Sequence, residues 1–231
     1  DHRDLHSFPT RPLFRSEEWF NDGTLCYQGW QSCASCHDTD GRADALNWDL
    51  LNDGWNNPKN TRSLLMAHQT PPAMSLGVRE TAATAVRAGL RKILFAVNVE
   101  EVPPALDAFL QSLKPIPSPY LVDGKLSPAA ERGQRLFLDP KLGCAHCHTP
   151  PLFTNLKAYH VGTLGNYDKP ADKFDTPTLI ELWRTAPYLH DGSALTLREM
   201  LTTSNPEDRH GKTSQLTAIQ IDDLTEFLNS L

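Results

Sequence analysis

Cys33-Ala34-Ser35-Cys36-His37 and Cys144-Ala145-His146-Cys147-His148 are the two stretches on which the reading of this chain turns. Each is a C-x-x-C-H run, the attachment signal of c-type haem: two thiols add to the porphyrin vinyl groups and the following histidine supplies the proximal nitrogen. A lone C-x-x-C would also suit a thioredoxin-like redox pair or half of a zinc site, but those need a βαβ context or a second pair at finger-like distance. Neither accompanies these cysteines, which leaves a four-cysteine metal site as the alternative to two covalently attached haem c groups. The expectation is one haem on Cys33, Cys36 and His37 and a second on Cys144, Cys147 and His148. The fifth cysteine, Cys26, reads as a free thiol.

Outward from the motifs, the same features recur in the same order, the mark of an internal repeat. Leu13-Phe14 and Leu136-Phe137 precede the two motifs, and the run from Thr61 to Pro72 matches that from Thr176 to Pro187. The stretches ending at Leu113 and Leu231 carry apolar residues at i, i+3, i+4 and i+7 (Leu106, Phe109, Leu110, Leu113; Leu224, Phe227, Leu228, Leu231), so each is an amphipathic helix with its apolar face inward. Ser127-Pro128 followed by Glu131 predicts a helix start, and Thr196 with Glu199 predicts a capping box. Prolines (18) outnumber glycines (13), which favours stiff irregular connections over long sheets. Lys114-Pro115-Ile116-Pro117-Ser118-Pro119, running on to Asp123-Gly124, reads as a stiff linker. The expected fold is all-α, with two cytochrome c-like domains each built around one haem: residues 1–114 and 127–231, joined by the Pro-rich linker 115–126.

At 231 residues the chain is long enough for two such domains. Its 22 Lys and Arg against 28 Asp and Glu, a net charge of −6, carry no basic footprint for nucleic acid. No apolar run approaches the ~18 residues of a membrane-spanning helix. Covalent haem attachment is an extracytoplasmic process in bacteria, so a periplasmic or extracellular location is expected. Asp1-His2-Arg3-Asp4 has neither the basic nor the apolar region of a leader, which is therefore expected to have been removed, with an upstream domain left open.

Gly133-Gln134-Arg135-Leu136-Phe137, the run from Cys144 to Thr154, Phe174-Asp175-Thr176-Pro177-Thr178-Leu179 and Thr185-Ala186-Pro187-Tyr188-Leu189-His190-Asp191-Gly192 resemble the second domain of the bacterial di-haem cytochrome c peroxidases and their methylamine-utilisation (MauG-like) relatives. The resemblance spans most of residues 10–231 and is strongest in the second half. It implies a calcium ion between the domains, held by the Asn60 side chain and the backbone carbonyls of Thr185 and Pro187, oxygen ligands that suit a hard cation; Asn60 as a simple turn cap is the alternative. The first half departs from the peroxidase pattern. The mobile histidine of many relatives falls on Asp53, the tryptophan between the haems on Ser75, and the distal glutamate in the apolar Ile93-Leu94-Phe95-Ala96, with Glu100 and Glu101 only nearby.

The sixth ligand decides the function, because a haem with two protein ligands shuttles electrons while an open one binds peroxide. For the first haem the candidates are Met74, His68 and Met66, with an open site and Met74 packed on the ring as the alternative. For the second, the family position falls on Ser204, which ligates poorly; His210 in the extended loop that follows, then Met200, are the candidates. His190 is expected at a haem propionate or the domain interface, and Arg184 as a propionate partner. Trp30, Trp48, Trp55 and Trp183 are candidates to wall the haems or fill core. The expected function is electron transfer to or from a partner protein or an upstream domain; reduction of hydrogen peroxide at the first haem is the alternative.

Overall fold

The computed structural model describes residues 12–38, 40–50, 55–97 and 99–231, with backbone alone for 12–15. Asp53, His2 and His6 lie outside the described residues. The chain is mostly helical: α1 (Pro12–Asn21), α2 (Ala34–His37), α3 (Ala82–Lys92) and α4 (Val102–Ser112), then α5 (Pro128–Leu138), α6 (Cys144–Cys147), α7 (Leu197–Leu201) and α8 (Ala218–Asn229). Four two-residue strands pair antiparallel, β1 (Asn47–Trp48) with β2 (Lys59–Asn60) and β3 (Ala158–Tyr159) with β4 (Phe174–Asp175). No described helix is long and apolar enough to cross a membrane.

The helices start where side-chain chemistry allows it. Ser127 accepts from Ala130 N ahead of Pro128, and Thr196 and Thr217 form capping boxes with Glu199 and Gln220. Their apolar faces assemble two clusters. In the first, Phe20 of α1 meets Phe109 of α4 with ring centres 4.7 Å apart, over buried Leu90, Leu106 and Leu110. In the second, Phe137 of α5 meets Phe227 of α8 at 5.2 Å, over Leu201, Leu224 and Leu228. Each buried side chain of this size contributes about 1.5–3 kcal/mol. The α5–α8 crossing depends on Gly133, where a Cβ would fall 1.9 Å from the carbonyl oxygen of Asp223.

Backbone details recur at a fixed offset. Positive φ angles occur at Met66 and Glu181, Met74 and Leu189, and Gly77 and Gly192; bridges join Ala73 to Arg79 and Tyr188 to Ala194; Thr81 and Thr196 cap α3 and α7. Members of each pair stand 115 positions apart.

A buried ion pair ties the two halves. Arg42 donates from Nε and Nη2 to Glu181 Oε2 and Oε1 (2.8 and 2.7 Å), and the two residues are 4% and 1% exposed. Segment 115–126, expected as a stiff spacer, is fastened to this pair: Arg42 also donates to Lys114 O, and Glu181 Oε1 accepts from Ile116 N. Further along, Ser118 Oγ donates to Asn229 O. Removing one partner of such a pair typically costs about 3–5 kcal/mol, because the other charge stays buried alone.

Candidate haem-binding site

One cavity of ≈ 540 Å³ reaches both motifs, with Cys33, Cys36 and His37 on one wall and Cys144, Cys147 and His148 on another. The two histidines are held alike. His37 Nδ1 donates to Arg62 O (3.1 Å) and His148 Nδ1 to Phe153 O (3.0 Å). A carbonyl can only accept, so Nδ1 carries the proton and Nε2 keeps the lone pair a metal needs. Burial lowers the pKa of both rings, favouring this neutral form. Burial likewise pushes the thiols of Cys33, Cys36 and Cys144 up to about 11, with Asp44 adding to the effect at Cys36. With no ion beside them they stand as protonated thiols, unlike the thiolates of exchange motifs. Among the described residues no group of three or more His, Cys, Asp or Glu is placed to hold a metal ion, which counts against the four-cysteine alternative.

Opposite His148 stands His210, with ring centres 6.3 Å apart. Two metal–imidazole bonds of about 2.0–2.1 Å, plus about 1.1 Å from nitrogen to ring centre on each side, span about 6.3 Å. The spacing leaves room for one metal ion between the two imidazoles. Burial first, and the facing His148 second, bring the His210 pKa down to about 4, and its Nδ1 is buried without a hydrogen-bond partner. The loop carrying it is organised by buried Asn205, whose Oδ1 accepts from His210 N (2.8 Å) and whose Nδ2 donates to Gly211 O (2.8 Å) and Thr213 Oγ1 (3.0 Å). Met200 lines the same cavity.

On the His37 side, Met74 lines the cavity, whereas His68 and Met66 do not. The structure turns His68 away: its Nε2 lies 3.3 Å from Asp107 Oδ1, an acceptor that is itself held by Arg87. Met74 sits at φ +74°, a conformation that costs a residue with a side chain about 1–3 kcal/mol and therefore needs support from its surroundings.

Other expected residues are placed differently. Arg184 is not a cavity residue; it pairs with Asp40 (2.7 Å), because Asp40 and Glu181 already surround its guanidinium. His190 faces Asp168 (Nε2 to Oδ2, 2.6 Å) and stacks on Phe174, while its carbonyl accepts from Asn60 N (2.8 Å), an interface position. Burial alone would raise the Asp168 pKa, but hydrogen bonds from Gly165 N, Lys59, His190 and Asn57 bring it down to about 2. Trp30 and Trp55 are 66% and 85% exposed and wall nothing; Trp48 is the tryptophan on the cavity. Asn60, Thr185 and Pro187 do come together on the cavity wall. The Asn60 amide nitrogen touches Pro187 O, and its Oδ1 is buried without a partner.

Sequence reasoning missed the cations of the cavity. Lys59, Arg62, Arg79, Lys92 and Arg209 line it against one described carboxylate, Asp175. In a chain of net charge −6 this excess of positive charge was the available signal, but only the fold gathers it.

Helices around two C-x-x-C-H motifs that share a cavity define a cytochrome c-like class. No family model matches the sequence. The gamma subunit of hydrazine synthase from Kuenenia stuttgartiensis is 31% identical over 265 aligned positions, covering 92% of this chain and 75% of that protein. The solved structure of hydrazine synthase from the same organism superposes with a TM-score of 0.86 at 28% identity, over 97% of this chain and 88% of the other. A MauG-like protein associated with microbial copper homeostasis superposes at 0.74 with 21% identity, over 99% and 90%. The chain belongs to the family of the hydrazine synthase gamma subunit, and its fold is that of the MauG-like proteins the sequence resembles. That fold family implies haem, and the residues present fit it: an apolar-walled cavity, a free Nε2 above each cysteine pair, the 6.3 Å imidazole spacing and cations to meet the propionates that haem carries.

Proposed function

We propose that this protein is a di-haem c-type cytochrome that relays electrons. One haem is bound through Cys33 and Cys36 under His37, the other through Cys144 and Cys147 under His148. Each sits in its own cytochrome c-like unit, 1–114 or 127–231, about the linker 115–126; the 115-position recurrence and the paired clusters support that division. The observation that carries the reading is the 6.3 Å opposition of His148 and His210, since an iron held from both sides exchanges electrons and offers no position to a substrate. Met74 is the corresponding ligand of the first haem. Arg209 and Lys92, cavity cations outside the buried ion pairs, support contacts to propionates. Haem supplies the one-electron chemistry, and the chain supplies ligands, burial and a fixed separation.

Reduction of peroxide is disfavoured by the same cavity. Moving a proton between the peroxide oxygens is worth about 10²- to 10⁴-fold, yet Glu100 and Glu101 are exposed and line no part of it, and Ser75 and the apolar stretch Ile93 to Ala96 fall where the resemblance would place a tryptophan and a glutamate. Reduced protein is expected to pass electrons rapidly to an artificial acceptor while consuming hydrogen peroxide slowly. Turnover of about a hundred per second or more, an ordinary enzyme rate, accompanied by a high-spin first haem, would replace electron transfer by the peroxidase reading. Kinship with a protein named as one subunit of hydrazine synthase favours a second reading of the partner: another subunit of a larger redox enzyme. Attachment of haem c in bacteria implies export.

For calcium, Asn60 Oδ1 with the carbonyls of Thr185 and Pro187 is the proposed ligand set, and the unpartnered Oδ1 supports it. Chelation is expected to slow electron exchange between the haems without releasing either, and Asn60→Ala is expected to lower the bound calcium measured by atomic emission. Unchanged calcium in that variant would remove the assignment.

A further inference from the structure

Arg62 touches both sides of the first haem site and reaches into the other half of the chain. Its carbonyl accepts from His37 Nδ1 (3.1 Å) and so fixes the proximal ring. Its Nη1 donates to Met74 O (3.0 Å) on the distal side and to Asp175 Oδ2 (2.9 Å) at the end of β4. Asp175 closes the loop, because its backbone N–H donates to Ser75 O (2.8 Å). The Asp175 side chain is 2% exposed, and Arg62 is the cation paired with it. Two successive carbonyls of the distal loop, at Met74 and Ser75, are thus gripped by a guanidinium from the first half and a peptide N–H from the second. The left-handed turn at Met74 is shared with Leu189 and closed locally by Gly77 N on Met74 O (3.0 Å), so what the grip adds is a tie from that turn to the proximal segment and to the second half. The second site has no such device: the residue 115 positions after Arg62 is Pro177, which has no side-chain donor.

We propose that Arg62 and Asp175 are positioning residues for the first haem, holding the Met74 loop in the conformation that presents its thioether to iron and making that ligation depend on the second half of the chain. The proposal rests on the reading of Met74 as the distal ligand. Removing the guanidinium leaves the Met74 carbonyl to Gly77 N alone (3.0 Å) and cuts the side-chain tie that fixes the distal loop against Asp175 and the His37 segment. Removing the Asp175 carboxylate leaves Arg62 without its anchor and releases the guanidinium half of the grip, while the backbone N–H stays on Ser75 O. In Asp175→Asn, by contrast, the amide oxygen still accepts from Arg62 and the backbone N–H still holds Ser75.

The test uses the haem-loaded chain and reads the near-infrared charge-transfer band and high-field methyl resonances of an iron-bound methionine, with the low-spin signal of the second haem as internal control. Arg62→Ala and Asp175→Ala are expected to lose the methionine signature in most molecules and to gain a high-spin signal, while Asp175→Asn keeps the signature and the second haem is unchanged in all three. A purely structural role would disturb both haems together. Should the alanine variants fail to fold, Arg62→Leu with Asp175→Leu, in which neither charge is stranded, is expected to show the same selective loss. Retention of the signature in Arg62→Ala, or in that double variant, overturns the proposal while leaving Met74 as ligand. A wild-type protein without the signature, or one in which Met74→Ala leaves it intact, overturns the ligand reading and the proposal with it.

Discussion

Replacing Cys33 and Cys36 together by alanine is expected to yield protein lighter by one haem, with the second haem in place and α5, α7 and α8 folded around it. The expectation follows from the two clusters, each with its own aromatic pair and helix crossing: Phe20 on Phe109 in one, Phe137 on Phe227 in the other. Without its haem the first cavity becomes a large void among Leu64, Leu90 and Leu106, and voids in apolar cores cost about 24 cal/mol per Å³. The first half is therefore expected to loosen, while the Phe137 cluster keeps all of its partners. Intact-mass measurement counts the haems, and near-ultraviolet circular dichroism follows the packing. Retention of two haems would remove the attachment assignment, and collapse of both halves would remove their independence.

In His210→Ala, one of the two low-spin signals in the electron paramagnetic resonance spectrum of the oxidised protein is expected to give way to a high-spin one. The 6.3 Å between the His148 and His210 ring centres has room for one iron and two metal–nitrogen bonds, and truncation at the β-carbon would remove the imidazole from that side. Asn205→Ala is expected to give the same change in part, since the amide that fixes His210 N and Gly211 O is lost while the imidazole remains. A His210→Ala spectrum identical to that of the parent would transfer the ligand to Met200, which faces the same cavity.

Much of this was legible in the chain. The terminal amphipathic helices, the Ser127 cap and the Thr196 capping box follow local rules and stand where those rules put them. The contiguous C-x-x-C-H motif and the extended loop also made His148 and His210 conspicuous, and the structure brings those two rings face to face. The offset partners were harder. His68 and Met74 are both near enough in sequence to face the first haem, and the choice lies with Asp107, about forty positions on, which draws His68 away. Arg184 stood beside a family-like segment and looked free for a propionate, but Asp40 of the other half holds it. The same blindness hid Arg62 and Asp175. Pairings between distant segments leave no local pattern, since they depend on which faces the tertiary packing brings together.

The carbonyls that accept from His37 and His148 would set an electronic limit on any iron those rings hold. An imidazole whose N–H meets a carboxylate takes on imidazolate character and pushes electron density into the metal, which helps to split an O–O bond and stabilises the oxidised state. Arg62 O and Phe153 O are neutral acceptors, so each ring remains an ordinary imidazole and a weaker donor. With haem bound, ferrous iron would be correspondingly less disfavoured. Under the proposed relay function these two main-chain acceptors would favour holding and handing on an electron, and no side-chain substitution can replace them.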